Sequence, residues 1–320
     1  PITAAAITVF STAMSNFEPR RKIPKTFNLA NGRQTSEPPM TTRSTLPTLI
    51  VFLCLSLPGW SENVLFVGNS YTIGSRSEPI ASAGGVPKYV EDIAASKGKA
   101  LTSQTVAVRS QDLAHHLEQP ATQEAIQAAA WDWVVLQELS TKPTRVGDPD
   151  GFFADAMTFY ERARASSPNA KVLLYQTWPR PAESSYINAT GKPSVKKFES
   201  SEEMLREVVD NYAEAARRIE GAEPGRQVLV ARVGEAFALA SAKYPHLVVY
   251  GKDSHHASPD GYYLAALVIY GTLFSDSPVG ASHELPGLSI DADTARSLQE
   301  IAAAVVAEAP AYETPTSGDQ

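Results

Sequence analysis

An alternation constrains this chain more than any other feature. Short apolar stretches at 64–67, 103–108, 133–136, 171–177 and 228–231 are separated by longer ones with helical spacing, at 87–97, 111–130, 152–165, 201–219 and 235–242. Runs of four to seven residues suit strands covered on both faces rather than helices. A helix between consecutive strands returns the chain to the same edge of the sheet, so the strands pair in parallel through right-handed crossovers. The alternation predicts an α/β fold, a three-layer α/β/α sandwich around a central, mostly parallel five-stranded sheet of the flavodoxin-like kind. Helical stretches at 259–274 and 291–308 close the domain. In such sheets ligands and reactive groups gather at the carboxyl ends of the strands.

The ends of the chain read differently. Residues 1–39 are polar and without period, and are expected to be a non-native or upstream extension. From Met40 a short start with Arg43, an apolar run at 46–57 and small residues before Ser61 have the layout of a signal peptide spanning 40–61. That layout leads to the expectation of a secreted or periplasmic bacterial protein. Leu53 stands before Cys54 where a lipoprotein site needs a small residue, so no lipid anchor is expected. The domain is then expected over 62–310, with a disordered tail at 311–320. Residues 62–320 carry 22 basic against 33 acidic side chains, net −11, which argues against nucleic acid or an anionic membrane as partner. Cys54 is the one cysteine, so residues 62–320 offer no disulfide, thiol nucleophile or thiolate metal site.

Two stretches hold the candidate chemistry. Ser70 follows the first strand and Gly68, which permits a tight exit, and Asn69, which tolerates unusual backbone angles. Alone, such a serine is a turn residue, because a hydroxyl needs an adjacent base to attack anything at neutral pH. The second stretch, GKDSHHASPDGYY from Gly251, puts Asp253 three residues before His256 and both just ahead of a helix. Ser258 is the expected N-cap, Pro259 the first helical residue and Asp260 a first-turn acid. In that loop a carboxylate can hold one imidazole nitrogen and leave the other to face a serine. His255 rivals His256, since one neighbour but not both should point inward. A metal site built from Asp253, His255 and His256 is the competing arrangement, with no further histidine or acidic cluster nearby to extend it. Glu138 is either a second acid or a hydrogen-bonded strand-end carboxylate. Trp178 heads a long proline-containing loop, 178–200, as a wall for a sugar or acyl group or as a cap on the core.

Together, Gly68-Asn69-Ser70-Tyr71-Thr72 and Asp253-x-x-His256-x-Ser258-x-x-Gly261-Tyr262 resemble the SGNH (GDSL-type) serine hydrolase superfamily, in particular a bacterial branch opening with Gly-Asn-Ser-Tyr/Phe-Thr. The resemblance runs from about 63 to 280 and takes in WDWVVLQELS at 131–140 and LLYQTWP at 173–179. It implies Ser70 as nucleophile, His256 as base and Asp253 as the residue orienting His256. It also implies an oxyanion hole that includes the Ser70 N–H. The family's further donors are a glycine and an asparagine; here the corresponding stretches offer Ser110, in Arg109-Ser110-Gln111-Asp112-Leu113, and Gln137. Tyr71 and Trp178 are the candidate substrate contacts. No cofactor and no metal are implied. The resulting expectation is a secreted serine esterase that removes small acyl groups, acetyl above all, from carbohydrates through an acyl-serine intermediate. Its partner would be a small-molecule or polysaccharide ester. A broad short-chain carboxylesterase or lipase-like enzyme, or a non-catalytic carbohydrate-binding relative, are the alternatives.

Overall fold

The computed structural model describes residues 61–308 apart from 77, 188–196 and 227. The expected extension at 1–39, the signal segment except Ser61, and the tail at 311–320 lie outside the described residues.

Five strands, β1 (Ser61–Gly68), β2 (Ala100–Ala107), β3 (Trp133–Leu136), β4 (Lys171–Tyr175) and β5 (Leu229–Ala231), form one sheet in the order β2-β1-β3-β4-β5. All its pairings are parallel, with Val64 opposite Ser103 of β2 and Trp133 of β3. Successive side chains of a strand point to opposite faces. Val64 and Phe66 accordingly join one apolar cluster, while Leu65 and Val67 join the other. The first cluster takes in α2 (Gly85–Ser96), α7 (Val233–Lys243), α8 (Pro259–Phe274) and α9 (Ala292–Ala307). The second takes in α3 (Leu113–Glu118), α4 (Pro120–Gln127), α5 (Pro149–Ser166) and α6 (Ser201–Ala222). The three-layer sandwich expected from the alternation is thus present. Helix α8 is apolar on almost every side because it is covered on almost every side, with buried residues running from Gly261 to Gly271 without a gap.

The helix starts are written locally. Asp148, Ser200, Ser258 and Asp291 each accept a first-turn backbone N–H, and such caps are worth about 1 kcal/mol each. Ser200 and Glu203 have the spacing of a capping box, and Ser200 takes the Glu203 N–H, but the Glu203 carboxylate turns to the Glu199 N–H and Arg145, so only half of that box forms.

Two local expectations change. The stretch 111–130 is two helices rather than one. Pro120 forces Gln119 out of the helical region, to φ −86 and ψ 128, ending α3, and then supplies the first residue of α4. A single helical turn, α1 (Ser70–Ile73), follows β1 directly, where no helix was read in the sequence. Among the described residues no helix is long and apolar enough to cross a membrane.

The strand order places the candidate residues. From β1 the chain moves to β2 on one side and returns to β3 on the other. The crossovers on either side therefore diverge, and a crevice opens at the carboxyl end of β1. Ser70 stands two residues beyond that end.

Candidate active site

The turn carrying Ser70 is fixed from below. A Cβ on Gly68 would lie 2.7 Å from the Gln137 Oε1, so only glycine lets the strand end approach so closely. Gln137 Oε1 accepts the Asn69 N–H and the Thr72 hydroxyl, both at 2.9 Å, and its Nε2 donates to the Glu138 carbonyl at 2.5 Å. Asn69 caps α1 by accepting the Tyr71 N–H at 3.1 Å and donates to the Gln111 carbonyl at 2.9 Å. His116, fully buried, bonds the Gly68 carbonyl through Nε2 at 2.8 Å, and burial lowers its pKa. It therefore stands as a neutral ring holding the same turn. In the sequence it stands three residues after Leu113, with nothing else to mark it.

The second half of the site comes from the loop before α8. Asp253 Oδ1 accepts the His255 and His256 backbone N–H groups, both at 2.9 Å, and curls the loop around its own side chain. Its Oδ2 lies 2.6 Å from His256 Nδ1, and His256 Nε2 lies 2.9 Å from Ser70 Oγ. The geometry corresponds to Nδ1–H donating to the carboxylate while Nε2 accepts from the serine hydroxyl. Burial pushes the Asp253 pKa up, but the His256 ring and the two backbone donors outweigh it and hold the carboxyl at about 2.

Sequence reasoning expected only one of the two histidines to point inward, and this needs correction. His255 is a lining residue of the pocket, and its ring stands edge-on to His256 with centroids 4.4 Å apart. Only His256 joins Ser70 to Asp253. Burial, then the charges of Arg180 and His256, lower the His255 pKa to about 3, so that ring is neutral. The His255 carbonyl accepts the Tyr71 hydroxyl at 2.7 Å, Trp178 Nε1 at 3.1 Å and Arg180 Nη1 at 3.3 Å. Three donors from two segments thus latch the histidine loop to the serine side of the crevice.

Beside Ser70 lies a pocket of about 300 Å³ whose walls include Ser110, Ser140, Thr141, Arg180 and Tyr186. Ser110 is exposed and takes a left-handed φ of 63, a conformation costing a non-glycine residue roughly 1 kcal/mol. Tyr71 contributes to the wall, although it is only 2 % exposed and its hydroxyl is engaged by the His255 carbonyl and Arg180.

Two of the expected roles do not survive. Gln137 does not reach an oxyanion at the pocket: it is buried beneath the turn, away from the pocket wall, with Oε1 accepting two donors of the turn and Nε2 turned to the Glu138 carbonyl. Trp178 is fully buried, sandwiched between Tyr71 at 3.9 Å and Phe237 at 4.5 Å with rings nearly parallel, so it supports the site from within and meets no substrate. Glu138 is the strand-end carboxylate rather than a second acid at the pocket. It is fully buried, accepting the Leu113 and Leu139 N–H groups at 3.2 and 2.5 Å, and burial raises its pKa to about 7. Arg180 was missed altogether. Its sequence signal, an arginine between Pro179 and Pro181 directly after a strand, is weak, yet it is 4 % exposed and on the pocket wall.

No family model matches the chain, and neither does any curated protein sequence. Among solved structures it is similar to a DUF4886 family protein from Bacteroides uniformis ATCC 8492, with a TM-score of 0.59 at 15% identity over 77% of this chain and 95% of that one. A Clostridium thermocellum family 3 carbohydrate esterase aligns with a TM-score of 0.46 at 13% identity, over 68% of this chain and 96% of that one. A lipase/acylhydrolase from Enterococcus faecalis aligns with a TM-score of 0.46 at 15% identity, over 65% and 93%. The first likeness establishes a shared fold; residue roles rest on the geometry of this chain alone.

Proposed function

We propose that the protein is a serine ester hydrolase of the SGNH type, working through an acyl-serine intermediate. The observation that carries this reading is the continuous Ser70–His256–Asp253 hydrogen bonding, at 2.9 and 2.6 Å, at the switch point of the sheet. His256 Nε2 takes the Ser70 proton as Oγ attacks the ester carbonyl. Asp253 keeps the ring in the Nδ1–H tautomer and stabilises the imidazolium that forms. The Ser70 N–H opens α1, where first-turn N–H groups have no intrahelical acceptor, and with the Ser110 N–H it receives the carbonyl oxygen as that oxygen becomes charged. His256 then gives its proton to the leaving alcohol, and water repeats the sequence to release the acid and restore Ser70. No cofactor enters this scheme.

Small acyl esters, acetyl foremost, on carbohydrates are the proposed substrates. The pocket is small, and its wall is mostly hydroxyl and amide groups with Leu139 as its aliphatic member. That composition suits a polar ester better than a lipid chain. Export guided by residues 40–61 belongs to the same reading. The test is hydrolysis of p-nitrophenyl acetate and p-nitrophenyl octanoate by the full chain and its Ser70→Ala variant. Acetate turnover that disappears in the variant is expected. Octanoate preference would move the substrate to lipids, and turnover no greater than in the variant would leave a binding protein rather than an enzyme.

A further inference from the structure

We infer that Arg180 is an anion receptor in the wall of this pocket, and that the ester hydrolysed at Ser70 carries a carboxylate. The inference rests on the proposed hydrolase reading for its reaction and on Arg180 for its substrate class.

The starting point is a charge without a counter-charge. Three other inward-facing cations are matched to carboxylates: Lys142 to Asp112 and Asp155 at 2.9 and 2.6 Å, Arg164 to Glu223 at 2.9 Å, Arg232 to Glu235 at 2.6 Å, while the less buried Arg162 donates to the Leu117 carbonyl at 2.8 Å. Arg180 is more deeply buried than Arg164 or Arg232, at 4 % exposure. Yet among the described residues only neutral oxygens meet it. Nη1 donates to the Tyr71 hydroxyl and to the His255 carbonyl at 3.3 Å, and Nη2 to the Ser140 hydroxyl at 3.0 Å. A buried charge without an opposite charge is costly, and its retention needs a reason. Segment 188–196, which follows in the chain, contains no Asp or Glu to neutralise it.

The donor count points to the missing partner. A guanidinium has five N–H groups in a rigid fork. Those three bonds leave the Nε–H and one N–H of Nη2 without an acceptor among the described residues. They sit on neighbouring nitrogens, the spacing that the two oxygens of a carboxylate bridge.

The surroundings agree. Arg180 is the pocket's charged wall residue, among serine, threonine, asparagine and tyrosine side chains and a neutral His255. The nearby Asp253 is committed to His256 and to two backbone N–H groups. In a domain of net negative charge, this local positive point draws an anion to the serine rather than to the surface at large. Arg180 also bonds Tyr71, the residue next to the nucleophile, which puts the bound anion and the attacked carbonyl on one wall. Two ester types meet the requirement: an acylated alcohol that bears an acid group, such as an acetylated uronic acid, and the half-ester of a dicarboxylic acid.

Matched substrate pairs test this. On the alcohol side, 3-acetoxybenzoate is compared with its methyl ester by acetate release; on the acyl side, monomethyl adipate with dimethyl adipate by methanol release. The wild-type chain is expected to show a KM about 10- to 100-fold lower for the carboxylate member of at least one pair. Arg180→Gln should erase that ratio, and Arg180→Lys should restore part of it. Because Arg180 also holds the His255 carbonyl, the glutamine variant can lose its fold; the wild-type ratio then decides. Equal KM values within both pairs would overturn the inference while leaving the esterase reading intact. A separate arm follows the melting temperature of the Ser70→Ala protein with 3-hydroxybenzoate against methyl 3-hydroxybenzoate. Stabilisation by the acid alone, if no ester is turned over, would keep the anion site and remove the hydrolase. Stabilisation by neither, together with equal KM values or no turnover, would remove the anion site.

Discussion

Two carboxylates near the same edge of the sheet are held in opposite states. Asp253 is half exposed, with 52% of its side chain accessible, yet its pKa is held at about 2. Glu138 is fully buried and its pKa is raised to about 7. Each has a basic neighbour, His256 at 2.6 Å for the first and Lys142 at 3.7 Å for the second. The difference lies in the donors. Both Asp253 oxygens are occupied, whereas the Glu138 Oε2 has no hydrogen-bond partner among the described residues. Donors outweigh partial burial in one case, and desolvation outweighs too few donors in the other. A search for strongly raised carboxylates, a common way to find a catalytic acid, would choose Glu138. The hydrogen bonds choose Asp253.

The sharpest break with this comparison would be a failure at Ser70. Ser70→Ala is expected to lower kcat by roughly 10³–10⁶-fold, since the serine and its base act as a unit; the ester assays above measure it. Asp253→Asn should keep the loop, because an amide oxygen can still accept the 255 and 256 N–H groups. It should nevertheless lower kcat by about 10²–10⁴-fold at pH 7, by favouring the wrong histidine tautomer. Steady-state kinetics beside a circular dichroism spectrum would separate the two effects, and a loss below about tenfold would break the comparison.

Glu138→Gln should show the reverse pattern, with kcat within roughly tenfold of wild type and a clear change in stability. The raised pKa means that the folded state favours the protonated acid. The stabilisation is complete below the unfolded value near 4.5 and is lost as pH rises through about 7. The difference amounts to roughly 3 kcal/mol at most. Urea unfolding at pH 5 and pH 8 should therefore show a pH slope that the glutamine variant flattens. Asp253 has the opposite sign: its contribution is present above the unfolded value near 3.8 and is lost as pH falls towards about 2. The smallest effect is expected at Ser110. Ser110→Gly removes the cost of its left-handed backbone and keeps its N–H, so thermal unfolding should show a gain of up to about 1 kcal/mol, with kcat changed only a few-fold.

The layers of the fold could be read because each strand and helix carries its own period. The sheet order could not, since the identity of neighbouring strands depends on which face each crossover takes. Within the site, Ser70 was legible because it follows a strand end by two residues, Asp253 and His256 because they share the short loop before a helix, and their joint roles because both stretches together resemble one family. Gln137 and Trp178 were misassigned for a common reason. An amide or an indole at a strand end looks the same in sequence whether it faces a pocket or the underside of a turn. Gly68 admits the amide of Gln137 beneath the turn, and Phe237, some sixty residues further along the chain than Trp178, closes over the indole. Arg180 stayed hidden because its partners, Tyr71, Ser140 and the His255 carbonyl, come from three distant segments.

The bond between Ser70 and His256 spans 186 residues. Synthesis runs from the amino end, so β1 and every other strand are complete, β5 ending at Ala231, before the histidine exists. Until the loop before α8 docks and the His255 carbonyl is caught by Tyr71, Trp178 and Arg180, Ser70 is an ordinary alcohol. On the proposed reading, the nascent chain is chemically silent through most of its manufacture, and its reactivity switches on only once the histidine loop is put in place.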